Sequence, residues 1–393
     1  MPGHLTPRLH EWVVRLATWM PFTAASDCMT WLTRTTISPA TAQRLTTAAG
    51  QAAVTIQTAA AQLAHDLPPP SNGPDRLVVS ADGAMIPVRG DRPWREVKTL
   101  VIGEPVPATA ADGTPIIQTQ KLSYFSRMTD ATTFADRALV ETHRRGLTNA
   151  DAVAAVADGA AWIQGFVDLH CPGAVRILDV PHACGYLAQL GDLVYGAGSN
   201  ASQAWQAAQR EQLTTLGATP VLTTIATLAV PAAHADAFAT AQAYLTTRQA
   251  QMDYPAFQAD GWPIGSGMVE SANKLVVEAR MKGSGMHWAA GNVDGMLALR
   301  NAVCNDRWEE VWAEIVIERR QADQRKRRCR QQQRRPPAPH ATPPPPEATS
   351  APRLSAAVLQ QIAEPPRVHP WKRPFSVRRQ IELADAAAAA HDA

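Results

Sequence analysis

Three acidic residues stand in short motifs whose spacing could do chemistry: Asp82 in "SADG", Asp158 in "VADG", and Glu270 in "GWPIGSGMVESANK". Carboxylates gathered at one point repel one another unless a cation neutralises them, and hard divalent ions such as Mg²⁺ and Mn²⁺ prefer oxygen ligands. Two such ions about 4 Å apart can activate an attacking oxygen and stabilise a leaving 3′ oxygen in an in-line phosphoryl displacement. Each acid also has a plainer explanation. Asp-Gly is a turn signal, and Glu270 could be a first-turn helix acid favoured by the dipole, or could pair with Lys274 at i,i+4. A fourth acid, Asp179, opens an Asp-x-x-His pattern with His182. The second Gly-Ser-Gly, in "RMKGSGMHW", is either a turn between helices or a set of backbone N–H groups suited to a phosphate beside Lys282. Trp162 either stacks on a base or belongs to the core.

These residues need elements to hold them. Residues 1–66 read as helical. In "ISPATAQRLTTAAG", Ser38 stands as N-cap with Pro39 at the first helical position. "FTAASDCMTWL" is a second short helix, so the pair forms either a helix-turn-helix unit or a generic helical hairpin. Residues 67–76 read as a linker, with "LPPPSNGPD". Beyond it, "RLVVSADGAMIPV" reads as an apolar strand ending at Asp82-Gly83, and "REVKTLVIGE" and "TQKLSYFSRM" as two further strands. A helix ("TFADRALVETHRRG"), a strand delivering Asp158, a helix ("AWIQGFVDLHCPG") and a strand ending at Asp179 follow. Three strands, then helix, strand, helix, strand is the order of an RNase H-like α/β domain, a mixed sheet flanked by helices. Its first part spans 77–185. Residues 186–255, rich in Ala, Gln and Thr, form a helical insertion before 256–312, which carries Glu270. A basic helix over 313–335 and a Pro-rich disordered linker and tail over 336–393 complete the chain.

Composition narrows the partners. The net charge is only +2, yet residues 319–335, "RRQADQRKRRCRQQQRR", carry nine basic residues against one Asp. Such a run, with Arg325, Lys326, Arg327 and Arg328 at its centre, is a polyanion-binding arm or a solvated tail. The five cysteines are dispersed with no Cys-x-x-Cys pair, which argues for reduced thiols and against a zinc ribbon. No stretch approaches the roughly 18–20 apolar residues of a membrane span, and the N-terminus lacks the pattern of a secretory signal. The reading is a cytoplasmic, nucleoid-associated protein with no membrane partner.

The stretch "PIGSGMVESANKLVVEARMKGSGMHW", followed by "GMLALRNAVCNDRWEEVW", resembles the C-terminal catalytic signature of bacterial insertion-sequence DDE transposases of the ISKra family. "ADGAMIPV" with "WREVKTLVIGE" resembles that family's first catalytic strand and the one after it. "VADGAAWI" resembles its second aspartate motif, and "ILDVPHACGYL" the following Asp-x-x-His strand. The resemblance runs from about residue 5 to about residue 312. It implies an RNase H-like fold, two Mg²⁺ or Mn²⁺ ions per site, and cleavage and strand transfer of transposon-end DNA. It implies double-stranded terminal inverted repeats and target DNA as partners, with a homo-oligomer in the synaptic complex. Carried over residue by residue, Asp82, Asp158 and Glu270 match the DDE triad and its metal ligands, with Asp179 and His182 supporting. Asp179–His182 also matches the Asp/Cys-x-x-His motif of Mutator-like relatives, which leaves Asp179 as the alternative second ligand. Lys274, Lys282 and the basic residues Arg325, Lys326, Arg327 and Arg328 are the candidate DNA contacts. The resemblance further implies a cysteine-bearing N-terminal segment, whereas this chain begins near "HLTPRLHEWVV". The alternative is therefore a transposase remnant that only binds DNA.

Overall fold

The computed structural model describes residues 5–64, 66 and 73–334. Most of the 67–76 linker and the whole 336–393 tail lie outside the described residues. Three helices lead: α1 (Pro7–Trp19), α2 (Phe22–Thr33) and α3 (Pro39–Ala64). Ser38 caps α3, its Oγ accepting from Thr41 N at 3.2 Å. Then come β1 (Arg76–Pro87), β2 (Trp94–Thr109), β3 (Pro115–Arg127), α4 (Ala131–Arg144), β4 (Ala152–Ala157), α5 (Ala161–His170), β5 (Val175–Leu178) and α6 (Val180–Tyr195). Four helices follow: α7 (Asn200–Leu216), α8 (Ala218–Ala226), α9 (Ala235–Thr247) and α10 (Tyr254–Ala259). The chain ends its described part with α11 (Gly267–Ala272), a π-helical segment (Asn273–Glu278), α12 (Ala279–Met281), α13 (Ala290–Cys304) and α14 (Trp308–Arg334).

The five strands form one mixed sheet in the order β3-β2-β1-β4-β5. β2 runs antiparallel to both β1 and β3, and β4 and β5 run parallel to β1. This is the RNase H-like arrangement, with helices on both faces. The pleat explains why β1 is apolar on both faces around its start and end: Val78, Ala84 and Ile86 face the core shared with α3, α11 and α13, while Leu77 and Val79 face α4 and α5. The N-terminal helices belong to the same core, through Val13, Met29, Ala42 and Ala49. α3 and α13 touch at their backbones, so a Cβ added at Gly50 would stand 2.6 Å from the Gly295 carbonyl oxygen.

One element differs from the sequence reading. β1 does not end at Asp82-Gly83 but continues to Pro87, with Asp82 paired to Thr99 and Gly83 to Lys98. Glycine serves there as clearance: a Cβ at Gly83 would lie 2.2 Å from Glu96 Oε1. Other Asp-Gly pairs do turn, among them Asp112-Gly113 at the β2–β3 hairpin, where Gly113 has φ +87° and Asp112 Oδ1 accepts from Thr114 N at 3.0 Å. Trp162 is a core residue, edge-on to Phe134 at 5.7 Å with the Lys98 ammonium over its face.

A buried ion pair ties α4 to the start of α14. Arg307 donates through both terminal nitrogens to Glu141, at 2.6 and 2.8 Å, and both side chains are buried. Burial pushes the Glu141 carboxyl up, but the charge and hydrogen bonds of Arg307 outweigh it, and the net shift is downward. Because the folded value lies below the unfolded one, this stabilisation is full above the ordinary carboxylate range and is lost as pH falls through the folded value. Removing one partner strands the other charge, so Arg307→Met should cost about 3–5 kcal/mol in urea unfolding. His10, where α1 meets α14, is driven down to about 4 by burial and by the charges of Arg319 and Arg44. It accepts through Nε2 from Arg319 at 2.8 Å and so is neutral when folded. The unfolded chain binds the proton first, so thermal stability should fall as pH drops from about 6.5 towards 4. His10→Gln should flatten that part of the profile.

Candidate active site

The site is a consequence of strand register. β1 and β4 pair in parallel from Arg76↔Ala152 to Val79↔Ala155, and the Ser80 hydroxyl donates to the Val156 carbonyl at 2.7 Å just beyond. Carried three residues further, the same register sets Asp82 beside Asp158. β4 and β5 pair from Ala154↔Val175 to Ala157↔Leu178, which carries Asp158 to the level of Asp179. By register three aspartates therefore fall at one level across three parallel strands, Asp82 within β1 and Asp158 and Asp179 just past the ends of β4 and β5, with adjacent strands about 4.8 Å apart. This is the edge where open α/β sheets bind ligands.

The three side chains have different surroundings. Asp82, half-buried, accepts from its neighbour Gly83 N at 2.6 Å and from the Asn273 amide at 2.9 Å. Burial raises its carboxyl, the Asp158 charge raises it further, and the hydrogen bonds and His182 only partly offset them, so the net direction is up. Asp158 Oδ1 accepts from Ala160 N at 2.8 Å, a local turn that ends β4. Asp179 is fully buried and committed on both oxygens: Oδ1 accepts from Ser266 N at 2.7 Å, and Oδ2 pairs with His182 Nδ1 at 2.9 Å. Its geometry is that of a positioning residue. It orients His182, which is half-exposed, and fixes the turn that launches α11. Val180 N donates to the Ile264 carbonyl at 3.1 Å and pins the same turn.

Glu270 lies in the first turn of α11, with its side chain exposed. It stands three residues before Asn273 and so shares a helix face with the residue that binds Asp82. Among the described residues, no group of three or more His, Cys, Asp or Glu side chains is close enough to hold a metal. Asp82 lies within electrostatic reach of Asp158 and His182, Asp179 bonds His182, and Glu270 sits on the helix whose Asn273 reaches Asp82. Glu270 and Lys274 form no ion pair among the described residues, and Lys282 is paired with Glu278 at 2.7 Å. Arg325, Lys326, Arg327 and Arg328 lie exposed along α14, Arg325 bonded to Glu318.

Several functional neighbours carry no motif of their own. Tyr244 donates to the Asp158 carbonyl at 2.5 Å, and Arg248 to the Gly159 carbonyl at 2.9 Å, so the helical insertion clamps the turn after β4. Tyr244 in turn stacks on Tyr186, with ring centroids 3.8 Å apart. Asn273 was visible only as a neighbour in "ESANK". Its Oδ1 is buried and has no hydrogen-bond partner.

That orphaned oxygen bears on whether a cation fits. Mg²⁺ is commonly held by one or two carboxylates with waters and substrate phosphates completing the shell. Two neighbouring carboxylates, Asp82 raised by burial and further by the Asp158 charge, and the unpartnered oxygen of the amide that bonds Asp82 are hard oxygen donors of the type such an ion takes.

No protein-family model matches the chain, and no curated protein matches it. Among solved structures the chain is similar to one described as the Drosophila P element transposase strand transfer complex. The likeness covers 79% of this chain and 81% of that one, at 12% identity and a TM-score of 0.27.

The electrostatic account predicts the behaviour of Asp82 directly. In a carbon-13 carboxyl titration Asp82 should titrate above the ordinary range for aspartate. Asp158→Asn should move it down by removing a like charge, and Asn273→Ala should move it up by removing a donor to the ionised form.

Proposed function

We propose that this protein is a DDE transposase that cuts and joins transposon-end DNA by metal-dependent phosphoryl transfer. The observation that carries the reading is the row of aspartates on adjacent parallel strands, with the Asp82 carboxyl raised by burial and further by the Asp158 charge. The motif around Glu270 adds support, through its resemblance to the ISKra-type catalytic signature.

Asp82 and Asp158 would hold Mg²⁺ or Mn²⁺, two ions per site, with the Asn273 amide beside them. Bound there, the ions supply activation of the attacking oxygen and charge stabilisation at the leaving 3′ oxygen. Glu270, exposed on the Asn273 face of its helix, is the carboxylate available to complete the set as DNA arrives. The chain's own residues do the rest. Asp179 keeps His182 oriented towards Asp82, and Tyr244 and Arg248 hold the Asp158 turn in place. Lys274, Lys282 and the exposed cations of α14 would neutralise backbone phosphates without reading sequence. Partners on this reading are the terminal inverted repeats and target DNA, engaged by a homo-oligomer, with the helices of residues 1–66 contributing to end recognition. Among the described residues, no helix is long and apolar enough to cross a membrane.

The test is metal-dependent nicking and joining of the element's own ends. Asp82→Asn, Asp158→Asn and Glu270→Gln should each lower the rate by about 10²–10³-fold or more, the scale for removing one group that stabilises developing charge. Asp179→Asn should cost less, about 10–100-fold, as expected for a residue that orients others. Full activity in all three triad variants would end the assignment, and a larger loss at Asp179 than at Asp158 would exchange their roles.

A further inference from the structure

Some ten residues after Glu270, roughly 15 Å along the helix, the chain builds a second polar feature that the catalytic reading does not use. A cavity of about 600 Å³ opens between the N-terminal helices α2 and α3 and the loop containing the second Gly-Ser-Gly. Arg280, Arg89 and His287 line it together with Phe22, Met286 and Trp288, and no acidic residue does. Arg280 is only 2% exposed. Its Nε donates to the Ala17 carbonyl at 2.8 Å, and Nη1 reaches only the Met286 sulfur at 3.7 Å. Nη2 is buried with no partner. The guanidinium stands 5.0 Å from the rings of both Phe22 and Trp288, so it is held firmly, yet no carboxylate neutralises it. Its strongest charged neighbour is another cation, Arg300, and burial together with that charge lowers it to about 10.

A buried guanidinium with a thioether for one partner and nothing for another is an uncompensated charge, costly unless an anion arrives. Arginine's planar fork suits phosphate oxygens bidentately, and the cavity has room for a nucleotide-sized group. The loop contributes shape as well. Gly285 takes φ +70°, a left-handed conformation that lets the backbone turn back along the wall of the cavity. Lys282, next to the same Gly-Ser-Gly, is already bonded to Glu278, which leaves Arg280 as the cation without an anionic partner at this loop.

We infer that this cavity is a phosphate-binding site in which Arg280 supplies the main hydrogen bonds and Arg89 and His287 guard the entrance. The phosphate belongs either to a DNA backbone or to a free nucleotide. Both present the same chemistry to the guanidinium. The inference does not depend on the aspartate row, because it concerns binding and requires no cleavage.

The experiment is calorimetric titration of the full chain with inorganic phosphate and with a 5′-deoxynucleoside monophosphate. Arg280→Met should weaken phosphate binding by about tenfold or more, the effect of losing a charge-assisted hydrogen-bond pair. Arg89→Ala should weaken it only about two- to fivefold, as for an exposed charge, and Lys326→Ala on α14 should leave it unchanged. Equal affinity in the wild type and a natively folded Arg280→Met chain would overturn the proposal. Where Arg280→Met does not fold, the Arg89→Ala/His287→Ala chain decides: weakened binding supports the site and unchanged binding refutes it. Competition names the source. Displacement of phosphate by a short duplex assigns the site to DNA, displacement by the mononucleotide alone assigns it to a free nucleotide, and displacement by neither contradicts the proposal.

Discussion

The burial of Asp82 beside a second carboxylate, Asp158, is the constraint that the surrounding elements have to accommodate. The parallel register of β1 and β4 gives these carboxylates no freedom to separate along the strand direction, and partial burial denies them the solvent that would screen them. A sheet edge loaded in this way does not stabilise the protein; it has to be held by everything else. The hydroxyl of Tyr254 bonds the Leu178 carbonyl at 2.8 Å, Tyr244 bonds Asp158, and Arg248 bonds Gly159. The helices of residues 186–255, remote from the strands in sequence, act in this sense as a brace on the carboxyl ends of β4 and β5.

The return of the chain at residue 263 is held with similar care. Asp179 fixes the turn before α11, and the π-helical segment then places Asn273 against Asp82. A π turn misaligns backbone carbonyls that an α-helix would satisfy. Arg300, fully buried on α13, takes two of them: Nε donates to the Val276 carbonyl at 3.1 Å and Nη2 to the Leu275 carbonyl, while Nη1 donates to Thr18 in α1 at 3.0 Å. One guanidinium thus joins the π-helical segment, α13 and the N-terminal helices. Residues 7–64 are consequently part of the core that positions the site.

The strands were legible because a sheet covered on both faces needs continuous apolar runs, and "RLVVS", "AVAAVA" and "VRIL" are such runs. The extent of β1 was not legible. Asp-Gly ordinarily marks a turn, and only the long-range pairing of Asp82 with Thr99 and Gly83 with Lys98 on β2 keeps this one extended. The spacing from Asp82 to Asp158 carried no meaning until pairing showed that the strands are in register by the same offset. Asn273, Tyr244 and Arg248 were beyond reach for another reason: each acts through a single long-range bond, and no local pattern announces such a bond. Glu270 stood out in the sequence through its motif, and the structure places it exposed in the first turn of the helix whose Asn273 bonds Asp82.

The central claim is that Asp82 and Asp158 together form a cation site, and manganese binding tests it most directly. Proton relaxation of water in the presence of Mn²⁺ and the full chain reports bound ion without requiring DNA or turnover. The account predicts specific binding to the wild type that is lost in both Asp82→Asn and Asp158→Asn, and displacement of Mn²⁺ by Mg²⁺ at higher concentration. Undiminished Mn²⁺ binding in both variants would contradict it.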